Sequence, residues 1–284
     1  MESLEVVRVL SLNLWGEQPP VERRLAIAIE GFRALAPDVI ALQEVREVPV
    51  PIDPSPLLSP MPNMAETIAR ALGFHFVFAP ATPWGGGVEG LAIVSRFPIA
   101  RTAHEALPHA IPTETRLILG ATLDTPRGPL SVFTTHLNYR LTDGGKREDQ
   151  VAAADAFIQS WPSPLPKILM GDFNAVPHSD EIRFLRGLHS HAGRRTYFQD
   201  AWERVHPDDR GYTWARRNHY TSRLGWLEPD RRLDYIFVSP MRKDGVGVIR
   251  DCRIVLDDRT ADGHFASDHF GLMAEVQVAP GQLD

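Results

Sequence analysis

Residues 168–174 have the sequence Ile-Leu-Met-Gly-Asp-Phe-Asn, a short apolar run that leads directly to two polar side chains, Asp172 and Asn174. A run of this kind is typical of a buried strand. Other apolar runs of the chain also carry a polar residue at one end. These further residues are Asn13, Glu44, His136, Asn138, Asp234, Asp268 and His269. Because loops at one edge of a rigid scaffold commonly carry function, we expect these side chains to meet at one edge of a sandwich.

The apolar runs predict many strands and few helices. Helices are predicted at residues 25–35, 64–72 and 151–161. Strands are predicted at residues 6–12, 39–42, 74–78, 91–95, 116–123, 130–135, 168–170, 233–238, 248–256 and 270–278. Since the strands do not alternate strictly with helices, a barrel of alternating strands and helices or a dinucleotide-binding sheet is disfavoured. Two packed sheets with helices outside fit this order better.

Residues 47–63 contain six prolines and are predicted to form a long loop. The segment before this loop is too short to bury a core of its own. Layered β-rich enzymes often reach 284 residues as one unit. We therefore predict a single domain over residues 1–284.

Composition disfavours several classes of protein. No segment approaches the roughly 18 continuous apolar residues of a membrane helix, and the acidic N-terminus is unlike a signal peptide, so we expect a cytoplasmic location. The net charge of -6 gives no overall basic footprint for duplex DNA. Cys252, the only cysteine, cannot form an internal disulfide and is expected to be a small buried hydrophobe.

Some of these polar residues have the chemistry of a metal site. Asn13, Glu44 and Asp268 offer hard oxygen ligands, which suit Mg²⁺ or Mn²⁺, whereas zinc would want more histidine or cysteine. Asp234 and His269 can form a dyad in which the carboxylate fixes the orientation and tautomer of the ring. The sequence thus predicts a divalent metal beside a histidine–aspartate pair.

The remaining polar residues suit hydrolysis. Asp172 can orient or deprotonate a water, and Asn174 and His136 can donate hydrogen bonds to phosphoryl oxygens as charge builds. A metal, a positioned water and preorganised donors are the parts of metal-assisted phosphoester hydrolysis. Because each residue type is also common in turns and caps, the argument depends on the ordered set. The other histidines considered are assigned structural roles: His75, His104, His109, His178, His189, His191 and His206.

The ordered set resembles the endonuclease/exonuclease/phosphatase superfamily, which includes pancreatic-type deoxyribonucleases, neutral sphingomyelinases and deadenylases. Seven motifs carry the resemblance, in the family's order, across residues 11–269. They are SLNLW at 11–15, LQEV at 42–45, GLAIVSRFP at 90–98, THL at 135–137, GDFN at 171–174, RLDYI at 232–236 and SDH at 267–269. One such motif can arise by chance, whereas seven in order are a specific signal.

The resemblance implies an α/β fold, a four-layer α-β-β-α sandwich with two mostly antiparallel central sheets. Arg116 falls where several members place an arginine that contacts phosphate, and we assign it to substrate binding together with Asn138. The resemblance also implies that Asn13 and Glu44 lie at the metal with Asp268 nearby. It implies that Asp172 and Asn174 act on the nucleophile and the phosphate, and that Asp234 pairs with His269.

Three functions stay open on this sequence: a phosphodiesterase of a small or lipid-like phosphoester, a nuclease, and an inactive binding protein on the same fold. His136 favours the deoxyribonuclease, sphingomyelinase and deadenylase branches over abasic-site repair, where a tyrosine-containing segment is usual. The acidic net charge, the apolar residues of the 47–63 loop and Trp84 favour the first function. Residues 194–232, with nine arginines against six acids, keep the nuclease open.

Overall fold

The computed structural model describes residues 5–48, 61–111, 113–221 and 228–281. Within them, twelve strands form two six-stranded sheets. The first sheet has the order β11-β12-β1-β2-β4-β3, with β1 Val6–Asn13, β2 Val39–Glu47, β3 His75–Trp84, β4 Gly87–Ser95, β11 Ile249–Val255 and β12 Gly271–Gln277. The second has the order β5-β6-β7-β8-β10-β9, with β5 Ile99–Ala106, β6 Leu117–Thr125, β7 Gly128–His136, β8 Ile168–Asp172, β9 Gln199–Asp200 and β10 Asp234–Val238.

Helices cover the outer faces of both sheets. Helices α1 Val21–Leu35 and α2 Met64–Leu72 pack on the first sheet, and α3 Gly144–Gln159 and α4 Asp180–Leu185 pack on the second. A short helix α5, Ala201–Val205, contacts β10 and β11. The predicted four-layer α-β-β-α sandwich is confirmed, and none of the described helices is long and apolar enough to cross a membrane.

Burial on both faces explains the apolar runs. In β1, Val7 and Val9 enter the core between the two sheets, while Leu10 and Leu12 enter the core beneath α1 and α2. Successive side chains of a strand point to opposite faces, so a central strand of this sandwich is apolar at nearly every position. Cys252 lies in the core between the sheets with no exposed surface, as expected.

Each sheet contains one parallel pair of strands, and these pairs position the site. Strands β1 and β2 are parallel and joined through α1, and β7 and β8 are parallel and joined through α3. Parallel neighbours need such a crossover, and their carboxyl ends then lie at the same edge. The antiparallel neighbour β10 begins at this edge, with Asp234 opposite Asp172.

The structure differs from the sequence-based expectation in several elements. Strand β5 was not predicted, because most of its residues are exposed at the sheet edge and it has no apolar run. Helices α4 and α5 have only 6 and 5 residues, too few to show helical spacing. Of the predicted loop at 47–63, residues 49–60 lie outside the described residues, and Val48 and Met61 beside them exchange two backbone hydrogen bonds of 2.9 Å.

Candidate active site

Asn13 connects the two sheets at the edge where the parallel strands end. Its Nδ2 donates to Oε1 of Glu44 and to Oδ2 of Asp172, both at 3.0 Å. Asn13 and Glu44 belong to the first sheet, and Asp172 is the last residue of β8 in the second. The Asn13 Oδ1 accepts from the backbone N–H of Trp15 at 2.9 Å, which leaves a further lone pair for a cation.

Glu44 lies within β2 at a bulge, not after the end of the strand as expected. The pairing of β2 with β4 shifts register between Leu42 and Val45, and Glu44 has a left-handed φ of 52°. A bulge redirects a side chain that would otherwise follow the alternation of the strand. A non-glycine residue in this conformation is strained, and such strain collects at functional sites.

Two other carboxylates lie close to Glu44. Burial raises the pKa of Glu89 to about 7, and the charge of Glu44 adds to the rise. Asp268 is partly exposed, yet displacement of water by the surrounding protein raises its pKa to about 6, again with a contribution from Glu44. The side chain of Asn218 fixes the backbone here by donating to the carbonyls of Ser267 and Asp268, at 2.8 and 3.1 Å.

The contact expected between His269 and Asp234 is present. His269 Nδ1 lies 2.8 Å from Oδ2 of Asp234, and its Nε2 lies 3.7 Å from Oδ2 of Asp172. Although burial opposes it, the carboxylates of Asp234, Asp172 and Asp268 raise the pKa of His269 well above its usual value. Burial raises the pKa of Asp172 to about 7, with Asp234 adding to the rise and His269 opposing it.

His136 lies near the same oxygen of Asp172, with its Nε2 at 3.5 Å from Oδ2. Its Nδ1 lies 2.9 Å from Nη1 of Arg116. A guanidinium can only donate, so Nδ1 is the acceptor and the ring proton is on Nε2. Burial, with Arg116 and His269, lowers the pKa of His136 well below its usual value. His136 is therefore a neutral hydrogen-bond donor directed at Asp172.

The backbone of the GDFN segment, residues 171–174, has conformations that suit glycine at position 171 and asparagine at position 174. A Cβ on Gly171, which has φ 149°, would lie 2.1 Å from the carbonyl oxygen of Thr135 on β7. Asn174 has a left-handed φ of 50°, and its backbone N–H donates to Oδ1 of Asp172 at 2.8 Å. The side chain of Asn174 donates to the carbonyl of Leu137 at 3.1 Å, which fixes the amide at the surface of the cleft.

These residues lie at or beneath a cleft of about 450 Å³. Trp84 and Tyr139 line it with 56% and 54% of their surface exposed. Arg116 and Arg140 also line it, and both are paired with Glu114. A larger cavity of about 630 Å³ beside α4 and α5 contains none of the predicted site residues in its described lining.

Asn138 does not reach this cleft. It is buried, its Nδ2 donates to Oδ2 of Asp143 at 3.1 Å, and its Oδ1 accepts from Nε2 of Gln150 at 2.8 Å. Its amide is thus used to hold the turn before α3, and we correct its assignment from substrate binding to positioning. Sequence reasoning missed Glu89, Glu114 and Tyr139 in the cleft, since none stands at a strand end in a motif.

The family of this chain follows from its similarity to known proteins. The model of the endonuclease/exonuclease/phosphatase family matches residues 10–269, nearly the whole chain. The chain belongs to the endonuclease/exonuclease/phosphatase family. It is accordingly a hydrolase of phosphoester bonds that depends on a divalent metal, and the alternative of an inactive binding protein is set aside. No curated protein sequence matches the chain.

Solved structures of other proteins share the fold of this family member. A D. rerio TDP2 humanized by 14 mutations is 18% identical with a TM-score of 0.74, covering 96% of this chain and 99% of that one. The family protein from Beutenbergia cavernae DSM 12333 is 23% identical, with a TM-score of 0.70 and coverage of 97% and 72%. The human Nocturnin catalytic domain is 21% identical, with a TM-score of 0.66 and coverage of 97% and 94%.

Proposed function

We propose that this phosphoesterase is a phosphodiesterase that uses Mg²⁺ or Mn²⁺ to hydrolyse a small or lipid-like phosphodiester. The observation that carries the proposal is the convergence of His136 and His269 on one buried carboxylate, Asp172, at a cleft of about 450 Å³ that Glu44 also lines. Asp268 lies close enough to Glu44 for the two charges to interact. Buried titratable groups with raised pKa values in a cleft are typical of catalytic sites.

The metal would be held by Asn13, Glu44 and Asp268, with Glu89 beside them. Burial raises the pKa of both Asp268 and Glu89, and the charge of Glu44 adds to each rise. A cation among these oxygens would relieve the repulsion between the charges. Carboxylate and amide oxygens without thiolate or imidazole suit Mg²⁺ or Mn²⁺. Once bound, the ion would polarise a phosphoryl oxygen and neutralise developing charge.

The protein side chains supply the proton transfer and the donors. Asp172, with a pKa of about 7, suits removal of a proton from an attacking water near neutral pH. His269, held by Asp234 and favouring its protonated form, stabilises negative charge on the phosphoryl group. Arg116 contacts a phosphate oxygen, while its own hydrogen bond orients His136.

The size and charge of the cleft favour a compact substrate. Its two arginines, Arg116 and Arg140, are both tied to Glu114, and Glu44 and Glu89 also line it. A duplex held through several phosphates needs a spread of cations along its path. The described residues that line the cleft do not form a row of cations. A single phosphodiester group therefore fits the charges of the cleft better than a duplex does.

A second candidate, the end of a single-stranded nucleic acid, is favoured by one observation. Trp84 and Tyr139 both expose their rings in the cleft, and exposed aromatic rings can stack bases without sequence preference. A solved structure with the same fold, D. rerio TDP2, is complexed with a single strand DNA product.

A panel of substrates tests the two candidates. Bis-p-nitrophenyl phosphate, p-nitrophenyl phosphate, sphingomyelin, plasmid DNA and single-stranded oligonucleotides are compared with Mg²⁺ or Mn²⁺ and in EDTA. We expect chelator to abolish hydrolysis, either metal to restore it, and a small or lipid diester to turn over fastest. Full activity in EDTA contradicts the metal site, and faster nicking of plasmid overturns the substrate proposal. Faster cleavage at an oligonucleotide end selects the second candidate.

A further inference from the structure

A second group of metal-binding side chains lies outside the catalytic cleft. Glu148 on α3 and His189 and His191 in the segment after α4 offer one oxygen and two nitrogens that lie within 4.8 Å of one another. The sequence alone assigned both histidines structural roles. None of the three lines the catalytic cleft, so the group needs an account of its own.

Both imidazoles face the same carboxylate oxygen. Nε2 of His189 and Nδ1 of His191 each lie 3.3 Å from Oε2 of Glu148. A tetrahedral zinc ion with bonds of about 2.0–2.1 Å places its ligand atoms about 3.3–3.4 Å apart. The nitrogen–oxygen distances therefore already match those around a tetrahedral ion.

The second nitrogen of His191 is also held as in a metal-binding histidine. Its Nε2 lies 2.7 Å from Oδ1 of Asp149, whose other oxygen lies 2.7 Å from Nε2 of His109. A histidine that binds a metal generally donates its other ring N–H to a carboxylate or carbonyl. In the neutral ring this bond places the proton on Nε2, so that the lone pair of Nδ1, 3.3 Å from Oε2 of Glu148, can bind a metal. Nδ1 of His189 lies 3.9 Å from Asp180.

The fold brings these groups together before any ligand is bound. Glu148 and Asp149 are fixed on α3, and the segment that carries the histidines is attached to the same helix. Arg194 donates to the carbonyl of Ala152 at 3.1 Å, and Thr196 donates to Asp155 at 2.7 Å. The three ligand side chains are 23–29% exposed, so an ion from solvent can reach them.

We propose that Glu148, His189 and His191 bind a zinc ion, with the fourth position left to water. Two imidazoles and one carboxylate are a usual zinc ligand set, whereas the oxygen-rich set at Glu44 suits Mg²⁺. The two sites therefore select different ions. Asp149 and Asp180 add negative charge around the imidazoles, which favours a cation there.

Zinc titration of the metal-stripped full chain in millimolar Mg²⁺ tests the proposal. A chromophoric chelator as competitor gives the affinity. We expect one equivalent of Zn²⁺ to bind the unsubstituted chain, and His189→Gln and His191→Gln to lose that equivalent. Asp149→Asn should weaken binding by about 10- to 100-fold, since it removes only the carboxylate that orients a ligand.

Matched variants separate this site from the catalytic cleft. His104→Gln, on the exposed face of β5, and Glu44→Gln should both keep the Zn²⁺ equivalent. Zn²⁺ should raise the melting temperature of the unsubstituted chain and of His104→Gln, but not of His189→Gln. Unchanged affinity in His189→Gln and His191→Gln overturns the proposal, as does loss of the bound Zn²⁺ in Glu44→Gln. Because binding is the readout, the result does not depend on the proposed hydrolysis.

Discussion

At the scale of single residues, Glu44 combines strain, charge and position. Its left-handed backbone at the β2 bulge places a carboxylate beside Asn13 and near Asp268. We predict that Glu44→Gln lowers turnover of a small diester at fixed Mg²⁺ by at least about 100-fold, since even partners of a metal ligand cost 10–100-fold. Steady-state rates across a Mg²⁺ titration measure this. Glu105→Gln, on the exposed strand β5, is the control, and equal rates in both variants would count against Glu44 as a ligand.

The dyad makes a second prediction at this scale. His269→Gln and Asp234→Asn should each lower kcat by about 100- to 1000-fold, the usual loss of a preorganised donor. KM should change much less, because the charge that we propose His269 to stabilise develops in the transition state. Separate measurement of kcat and KM checks this, with His104→Gln as control. A loss of only a few-fold would exclude a part for the dyad in the chemical step.

Single residues also show where sequence reasoning stops. Residues at the ends of apolar runs could be found, because the strand that positions them is visible in the sequence. Asn138 has the same placement but turns towards Asp143 and Gln150, a contact set by the loop after β7. His191 contacts Asp149, which is 42 residues away in the sequence, because the segment after α4 folds back on α3. No local sequence pattern predicts that contact.

At the scale of elements, the caps of two helices differ in a measurable way. Asn63 caps α2, with its side chain accepting from the N–H groups of Ala65 and Glu66 at 2.9 and 3.2 Å, whereas Ser179 caps α4 with no such bond. We predict that Asn63→Ala lowers the free energy of unfolding by about 1 kcal/mol, and that Ser179→Ala changes it much less. Urea denaturation of both variants measures the difference, and equal losses would contradict it.

The elements that could be predicted are those buried on one or both faces. Helix α2 has its predicted bounds and strand β8 begins at its predicted residue, because burial demands an apolar helical face or an apolar run. Strand β5 carries mostly exposed residues, and β9 has only two, so neither has a pattern of its own. The hairpin of β3 and β4 extends beyond the predicted strands, since backbone pairing continues to Trp84 and Gly87 after the apolar residues end.

At the scale of the whole molecule, the net charge of -6 leads us to predict that kcat/KM depends only weakly on salt concentration. A substrate held through one phosphate should lose at most about fourfold in kcat/KM between 50 and 200 mM salt. A duplex held through six to ten phosphates would lose about 10³–10⁵ over the same range. Rates on the best substrate of the panel at both salt concentrations measure this. A steep loss would indicate a polyanion as the natural substrate.

The pairing of strands has a further consequence for how the chain is connected. Across each sheet the pairs run antiparallel, antiparallel, parallel, antiparallel, antiparallel, and a helix joins each parallel pair. In chain order, the elements β5-β6-β7-α3-β8-β9-β10 of the second sheet thus correspond to β11-β12-β1-α1-β2-β3-β4 of the first sheet. In the first sheet this series is split between β12, the last strand of the chain, and β1, the first. The sandwich is two copies of one folding motif, out of phase in the sequence.

A circular permutation would bring the two copies into tandem. The N–H of Val278 donates to the carbonyl of Glu5 at 2.8 Å, and Glu5 and Gly281 line one surface cavity, so a short linker can join them. New ends between Phe97 and Pro98 would leave every strand intact. We expect the permuted chain to melt cooperatively and to keep its phosphoester hydrolysis, as circular dichroism and turnover would show. An unfolded product would mean that the present order of the copies is needed for folding. A folded product would mean that the fold does not depend on which strand comes first in the chain.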